Sequence, residues 1–333
     1  MLKISTAPHM SSPVNTSMIM RDVIIALIPS ALVAILFFGL NALTVIITSV
    51  TACMLCEYAI TRWLLHKPST LRDNSAAITG LLLAYNLPSN FPILMILVGA
   101  FVAIGISKMA FGGLGKNLFN PALVGRVFLF VSFPLQMTTW PRPQFLNFLN
   151  TDVQTGATTL GILKHLDAET SATALTSHAS AIENIPNYWE MFIGYTGGCI
   201  GEISTLALLL GGLYLIKKQI ISWHIPFYYI ATVFIITSFL WLRYDSPIYD
   251  PVTHLLSGGL MLGAIFMATD YVTSPMTING KIIFAVGCGL LTVIIRLWGA
   301  YPEGVSFAIL IMNAFVPLID KFTQPRIFGA RKK

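Results

Sequence analysis

Apolar runs of about 20 residues dominate this sequence, and such runs are long enough to cross a bilayer as helices. Only 10% of the 333 residues are charged, against roughly 25% in soluble proteins. The chain is therefore predicted to be an all-α integral membrane protein, and a soluble enzyme is excluded. The apolar runs predict ten transmembrane helices: 22–41, 43–64, 75–87, 92–110, 118–137, 191–216, 226–242, 254–269, 282–298 and 304–320.

The Lys and Arg residues fall mostly on one side of this ten-span arrangement. With the N-terminus in the cytoplasm, fifteen of the 20 Lys and Arg residues lie on or near the cytoplasmic side, as the positive-inside rule requires. This distribution predicts a multi-pass protein with both termini in the cytoplasm. It also accounts for the net charge of +6, so membrane lipid is the expected partner and nucleic acid is not.

The two halves of the chain resemble each other weakly, since residues 75–81 are similar to residues 257–263. Five spans per half is an odd number, so the second half is predicted to be inverted relative to the first. Spans three and eight are short and contain glycine at Gly80 and at Gly258 and Gly259. These glycines predict broken helices that line a site near the bilayer midplane.

The spans divide the chain into five regions. They are a cytoplasmic N-terminal tail (1–21), a first five-helix membrane repeat (22–137), an extracytoplasmic loop (138–190), a second five-helix membrane repeat (191–320) and a basic cytoplasmic tail (321–333). The loop is the only long polar segment between spans, and loops of this length usually have a function.

Residues 152–158 in that loop have the sequence DVQTGAT, with the pattern D-x-x-T-G-A-T. The pattern resembles the flavinylation site of membrane redox complexes, in which the last Thr hydroxyl is joined to the phosphate of FMN. By this resemblance Thr158 is the attachment residue. The motif residues expected around the cofactor are Asp152, Thr155, Gly156 and Ala157.

Two alternatives to attachment at Thr158 stay open from the motif itself. A Thr- and Gly-containing turn in a polar loop gives the same pattern without a cofactor. A near-copy, DAETSAT at residues 167–173, makes Thr173 the second candidate for attachment. Thr158 ranks first because its motif keeps the glycine.

Further stretches along nearly the whole chain look like the D subunits of Rnf (Rsx) ion-translocating oxidoreductase complexes, which are related to the B subunit of the sodium-pumping NADH:quinone reductase. The stretches are STAPH (5–9), LRDNSA (71–76), GGLGKNLFNPA (112–122), WHIP (223–226) and YPEGV (301–305). The resemblance implies an electron-transfer subunit with covalent FMN, in a six-subunit complex of the bacterial inner membrane. It also implies coupling of electron flow between ferredoxin and NAD to Na+ or H+ movement, a flavin transferase as a partner, and riboflavin as a candidate second cofactor.

Three polar residues inside the spans need an explanation. Asn120 before Pro121 predicts a helix N-cap, whose exposed N–H groups favour anions or cofactor oxygens; a glycine-rich turn between spans is an equally weighted alternative. Arg126 is costly in a bilayer, and its expected partner is a flavin or a carboxylate. Glu57 also needs a partner or a function, or, because it is one turn from the cytoplasmic end, it extends its side chain to the headgroup region.

No spacing of His, Cys, Asp and Glu matches a metal site, so we expect no protein-bound metal. No residue is predicted to be catalytic, and the subunit is not expected to be active alone. A different class of function remains open beside the oxidoreductase. Inverted five-helix repeats with broken helices also suit a stand-alone channel or solute transporter.

Overall fold

The computed structural model describes residues 15–67, 69–145, 155–168 and 185–324, and nearly all of its regular structure is helical. The helices are α1 (Thr16–Ala59), α2 (Ser75–Tyr85), α3 (Ile93–Phe101), α4 (Pro121–Ser132), α5 (Pro134–Met137), α6 (Thr159–Ala168), α7 (Tyr188–Ile193), α8 (Thr205–Lys217), α9 (His224–Tyr244), α10 (Pro251–Leu256), α11 (Leu260–Leu262), α12 (Ile278–Trp298) and α13 (Val305–Thr323). π-helical turns extend α1 (Ile60–Leu64), α3 (Val102–Met109) and α11 (Gly263–Met267), and short 3-10 turns occupy Leu71–Asp73 and Pro247–Tyr249. Two short strands, β1 (Trp140–Pro141) and β2 (Thr155–Gly156), pair antiparallel.

Several helices are long and apolar enough to cross a membrane. They are Thr16–Leu64, His224–Tyr244, Ile278–Trp298 and Val305–Thr323, and shorter apolar helices cover Ser75–Tyr85, Ile93–Met109, Pro121–Ser132 and Thr205–Lys217. Large apolar side chains cover the outside of these helices; Leu242 is 78% exposed and Phe322 is 79% exposed. Since such a surface is suited to lipid rather than water, the prediction of a mainly helical, multi-pass membrane protein is confirmed.

Helix α1 consists of two arms that fold back on each other at Gly39. Gly39 has φ 62° and ψ −146°, a conformation that favours glycine. Near the start of the first arm, Ser17 Oγ accepts a 3.5 Å hydrogen bond from Asn74; near the end of the second arm, Glu57 Oε1 accepts a 2.6 Å bond from Thr70. Both ends of α1 therefore lie beside the same short segment, so the chain reverses direction as the first two predicted spans require.

Helix α2 packs against both arms of α1 and is continuous through Gly80. Ser49 Oγ donates a 2.8 Å hydrogen bond to Gly80 O, and Tyr85 OH donates a 2.6 Å bond to Leu27 O. A Cβ atom at Gly80 would lie only 2.7 Å from Val50 Cα. The predicted break at Gly80 is therefore wrong, because this glycine allows close approach of two helices rather than a bend.

The second predicted break is present, between α10 and α11. Gly258 has φ 68° there, and helical structure resumes only at α11. The break exposes carbonyl groups at the end of α10. Arg296 of α12 satisfies two of them, donating a 2.7 Å hydrogen bond to His254 O and a 3.2 Å bond to Ser257 O, as cations near helix C-termini commonly do.

The predicted sixth span, 191–216, is not a single helix. It divides into α7 and α8, with a non-helical segment between them. In that segment Ile200 N donates to Leu87 O at 3.0 Å and Gly201 N donates to Tyr85 O at 2.9 Å. The segment thus uses its backbone groups to bond the end of α2, which periodicity of apolar residues does not reveal.

Glu57 and Lys108 form a buried ion pair at the end of the bundle where α2 begins. Lys108 Nζ lies 2.6 Å from Glu57 Oε2 and donates a second bond of 2.6 Å to Ser75 Oγ. Glu57 is 0% exposed and Lys108 is 2% exposed. Of the two alternatives for Glu57, the structure shows a partner inside the protein rather than a side chain that reaches the headgroup region, as a buried charge requires.

Candidate cofactor site

The motif residues that the structure describes begin in the short strand β2. Thr155 pairs with Pro141 and Gly156 pairs with Trp140 of β1. A Cβ atom at Gly156 would lie 2.8 Å from Arg142 Nε, so glycine leaves room for the arginine side chain. Thr155 and Ala157 are exposed. Asp152 of the motif and Thr173, the alternative attachment residue, lie outside the described residues.

Among the described residues of the motif, 155–158, Thr158 has a buried side chain. It is 7% exposed, and its hydroxyl oxygen accepts a 3.1 Å hydrogen bond from Gly161 N. Thr158 O also accepts a 2.9 Å bond from Ile162 N. The hydroxyl therefore caps the N-terminus of α6, the end at which helices favour anions and phosphate groups.

Lys164 fastens α6 to the end of α12. Its ammonium group donates to Gly299 O, to Tyr301 O at 3.0 Å and to Arg296 O at 3.4 Å. These carbonyls lie at and just beyond the C-terminus of α12, where a cation is favoured. The contact fixes the loop helix, and with it Thr158, over the second half of the bundle.

Thr158 opens into a small pocket with about 280 Å³ of empty volume. Four parts of the chain supply its walls: the motif, the segment before α8, the break after α10 and the residues before α13. The lining residues are Thr158, Thr159, Leu160, Thr196, Gly197, Glu202, Ser257, Gly258 and Glu303. Thr159 and Gly197 also line a wider, open cavity beside Trp140, Arg142 and Tyr195. The two adjoining spaces suit a small molecule.

Arg126 is the centre of a buried polar cluster behind this pocket. It is 5% exposed, and its Nη1 donates a 2.6 Å hydrogen bond to Asn86 Oδ1. Its Nη2 donates to Glu303 Oε2 and lies 3.5 Å from Glu202 Oε1. The prediction that Arg126 needs a partner is confirmed, and the partners in the structure are two carboxylates. Because Glu202 and Glu303 also line the Thr158 pocket, they connect Arg126 to the motif.

Cys199 belongs to the same cluster. Its Sγ lies 3.6 Å from Arg126 Nη2 and donates a 3.2 Å hydrogen bond to Asn86 O. The potential ligand atoms of Cys199, Glu202 and Glu303 all lie within 4.8 Å of one another. Cys199 Sγ thus contacts both Arg126 and Asn86, and Arg126 provides a positive charge between the two carboxylates.

Asn120 lies at a different site. Its Oδ1 accepts a 3.1 Å hydrogen bond from Ala122 N, which confirms the predicted N-cap of α4, and its Nδ2 donates a 3.2 Å bond to Met267 O. It lines a separate cavity with about 790 Å³ of empty volume, together with Asn117 and Lys108. The structure therefore groups Arg126 with Thr158, and places Asn120 at the end of the bundle where α2 begins.

Sequence reasoning did not assign Glu202, Glu303 or Asn86 to a site. Glycines close to the two glutamates could have indicated a site. Glycines at 197, 198 and 201 precede Glu202, and Gly304 follows Glu303. The stretch YPEGV contributed to the family resemblance without a role for its glutamate. The separation of these residues along the chain explains why spacing alone does not reveal their contact.

The fold and the site define a multi-pass membrane protein that keeps a charged, water-shielded pocket beneath a loop motif. The comparisons with known proteins identify its family. Residues 3–329 match the NQR2, RnfD, RnfE family, and the chain belongs to that family.

Several similar proteins are D subunits of ion-translocating complexes. The chain is 47% identical over 333 residues to the D subunit of the proton-translocating ferredoxin:NAD(+) oxidoreductase complex of Clostridium ljungdahlii, covering 99% of this chain and 96% of the relative. It is 46% identical, with the same coverage, to the D subunit of the Na(+)-translocating ferredoxin:NAD(+) oxidoreductase complex of Acetobacterium woodii. It is 37% identical over 352 residues, 99% of each chain, to the D subunit of an ion-translocating oxidoreductase complex of Escherichia coli. These relatives confirm the predicted resemblance to D subunits. They also confirm the predicted class of enzyme, a subunit of an ion-translocating oxidoreductase.

Replacing Arg126 should destabilise the protein far more than replacing a surface cation. Arg126→Leu leaves Glu303 and Glu202 buried without the cation that α4 supplies, and breaking a buried pair in this way costs about 3–5 kcal/mol. The control is Lys218→Ala, whose exposed pair with Asp22 at 3.9 Å contributes about 0–1 kcal/mol. Thermal unfolding of both variants in detergent measures the difference; equal, small losses would show that the cluster contributes nothing to stability.

Proposed function

We propose that this chain is the D subunit of an Rnf-type complex and carries FMN joined by a phosphoester to Thr158. It passes electrons within a ferredoxin/NAD oxidoreductase while Na+ or H+ crosses the membrane. The observation that carries the proposal is the position of the Thr158 hydroxyl, at a helix N-terminus and facing a pocket. Family membership favours this function over a stand-alone channel.

The N-terminus of α6 fits the phosphate of FMN. A phosphoester on Thr158 keeps a negative charge, and the unpaired N–H groups and dipole of a helix N-terminus stabilise such a charge. Gly197 in the pocket wall has only backbone oxygens within about 4 Å of where a Cβ atom would lie. A phosphate group therefore meets little side-chain bulk on that side.

The wider cavity fits the flavin ring. Its walls carry the aromatic side chains of Trp140 and Tyr195 and the guanidinium-bearing side chain of Arg142. Aromatic faces and cations are suitable neighbours for a flat, polarisable ring. When bound, FMN supplies one- and two-electron transfer; the residues of this chain hold it, shield it from water and keep it from diffusing away.

The membrane arrangement that we propose has ten helices in two inverted repeats. The two arms of α1, then α2, α3 and α4, would correspond to α8, α9, the α10–α11 pair, α12 and α13. Two cations at corresponding positions support this pairing. Lys108, at the end of the α3 segment, donates to Ser75 Oγ of α2, and Arg296, near the end of α12, donates to the backbone oxygen of Ser257 after α10. Both termini would lie in the cytoplasm of a bacterium and the Thr158 loop outside its inner membrane, following the positive-inside rule.

The partners that we propose are the other subunits of a six-subunit complex and a flavin transferase. Exposed apolar side chains such as Phe239, 68% exposed, offer surface to lipid and to neighbouring subunits. Because Thr158 is only 7% exposed, the transferase would act before the motif packs against the bundle.

We also propose that riboflavin binds in the separate cavity beside Asn120. Its walls are mostly apolar, and Asn117, Lys108 and Asp270 provide polar groups. Asn117 Oδ1 is buried and accepts no hydrogen bond from the described residues. An N–H group of a bound flavin ring would remove the cost of that unsatisfied acceptor.

Thr158→Ala should remove covalent flavin, since alanine has no hydroxyl to esterify. In-gel fluorescence of the denatured protein measures this, and the band should disappear. Thr158→Ser, which keeps a hydroxyl, and Thr173→Ala are the matched controls and should remain fluorescent. A fluorescent Thr158→Ala band, dark only when Thr173 is also replaced, would move the attachment site.

Asn117→Leu should lower the amount of flavin released by denaturation and leave the covalent band unchanged, because it changes the second cavity alone. Chromatography of the acid-released fraction measures non-covalent riboflavin. Met276→Leu is the control, because Met276 is exposed and is not among the residues that line either cavity. Unchanged riboflavin in Asn117→Leu would contradict this site.

A further inference from the structure

Glu202 is the less compensated of the two carboxylates beside Arg126. It is 5% exposed, and its Oε2 accepts a 3.4 Å hydrogen bond from Cys199 N. Its Oε1 is buried and accepts no hydrogen bond from the described residues. The cationic atom Arg126 Nη2 is 3.5 Å away, but it donates its hydrogen bonds to Glu303 Oε2 and to Cys199 Sγ instead.

The other charged groups that the structure describes around the pocket do not supply the missing contact. Arg296 packs close to Gly258, where a Cβ atom would lie 3.0 Å from Arg296 Nη2. Its two Nη atoms donate to the carbonyls of His254 and Ser257. Cys199 is a neutral donor to Asn86. An ionised carboxylate in a water-excluded site is costly unless a cation or a donor reaches it, so the surroundings of Glu202 favour one further positive charge.

The surroundings of Oε1 limit the size and charge of what can bind. A Cβ atom at Gly259 would lie 2.7 Å from Oε1, so a glycine keeps this side open. Glu202 shares its pocket with the hydroxyl-bearing residues Thr196 and Ser257, and oxygen is the ligand atom that hard cations prefer. With Arg126 already between the carboxylates, one further positive charge balances the cluster better than two.

We propose that Glu202 binds one exchangeable monovalent cation, a proton or a sodium ion, in the pocket that it shares with Thr158. A proton forms an O–H bond at the carboxylate, and a sodium ion takes the carboxylate and neighbouring oxygens as ligands. The role of the site rests on the proposed function: a cation at Glu202 balances negative charge that electrons bring to a flavin on Thr158. The binding itself needs only residues of this chain.

Infrared difference spectroscopy of the purified complex tests the proposal without using activity. Spectra recorded as the pH is raised should show loss of a carbonyl band from a protonated carboxyl group, and the band should be missing in Glu202→Gln. Adding sodium chloride at fixed pH, with potassium chloride as the reference, distinguishes the cations. If the band is lost with sodium chloride but not with potassium chloride, Na+ competes with the proton for Glu202. If sodium chloride has no effect, the cation bound at Glu202 is the proton.

Controls separate this proposal from the proposed function. Glu190→Gln, which changes an exposed carboxylate, should keep the band. Thr158→Ala should keep the infrared band even when the variant has no covalent flavin. The fluorescence therefore reports loss of the flavin, and the infrared band separately reports loss of the cation site. If Glu202→Gln does not assemble, Glu202→Asp should shift the band. A wild-type complex without such a band over the whole pH series, or a band unchanged in the Glu202 variants, overturns the proposal.

Discussion

The Arg126 guanidinium is the contact on which the arrangement of the site depends. It joins the end of α2, through Asn86, to Glu303 before α13 and Glu202 before α8. A buried charge is tolerated only when its partners surround it, so this one side chain holds together segments from both halves of the chain. Because the same carboxylates line the Thr158 pocket, the structural role of Arg126 also sets the charge of that pocket.

Glycines and helix ends provide the space for that pocket. Gly258 in the break between α10 and α11, and Gly197 before α8, form walls without side chains. The N-terminus of α6 meets these walls from the side of the loop, and Lys164 secures it to the end of α12. The helix end that favours an anion thus lies near two carboxylates, which would repel that anion. Arg126 reduces this repulsion, and a cation bound at Glu202 would reduce it further.

Much of the bundle follows from local sequence signals, because apolar runs, the Asn120 cap and the Gly258 break are determined by nearby residues. The errors arose where distant contacts decide the structure. Gly80 predicts a helix break, yet it packs on Val50. The segment before α8 is apolar enough to predict a helix, yet its backbone bonds the end of α2. Glu202 lies in that segment, so its contact with Arg126 depends on the non-helical path. The sequence therefore singles out the motif and Arg126, but not the carboxylates that lie between them.

The central proposal is that the Thr158 hydroxyl is joined to FMN in the D subunit of an ion-translocating oxidoreductase. Peptide mass spectrometry of the natively expressed complex tests it most directly. We expect an FMN-sized mass increase on the peptide that contains Thr158, with fragment ions that assign the increase to that residue. An unmodified Thr158 peptide from cells with an active flavin transferase would contradict the account.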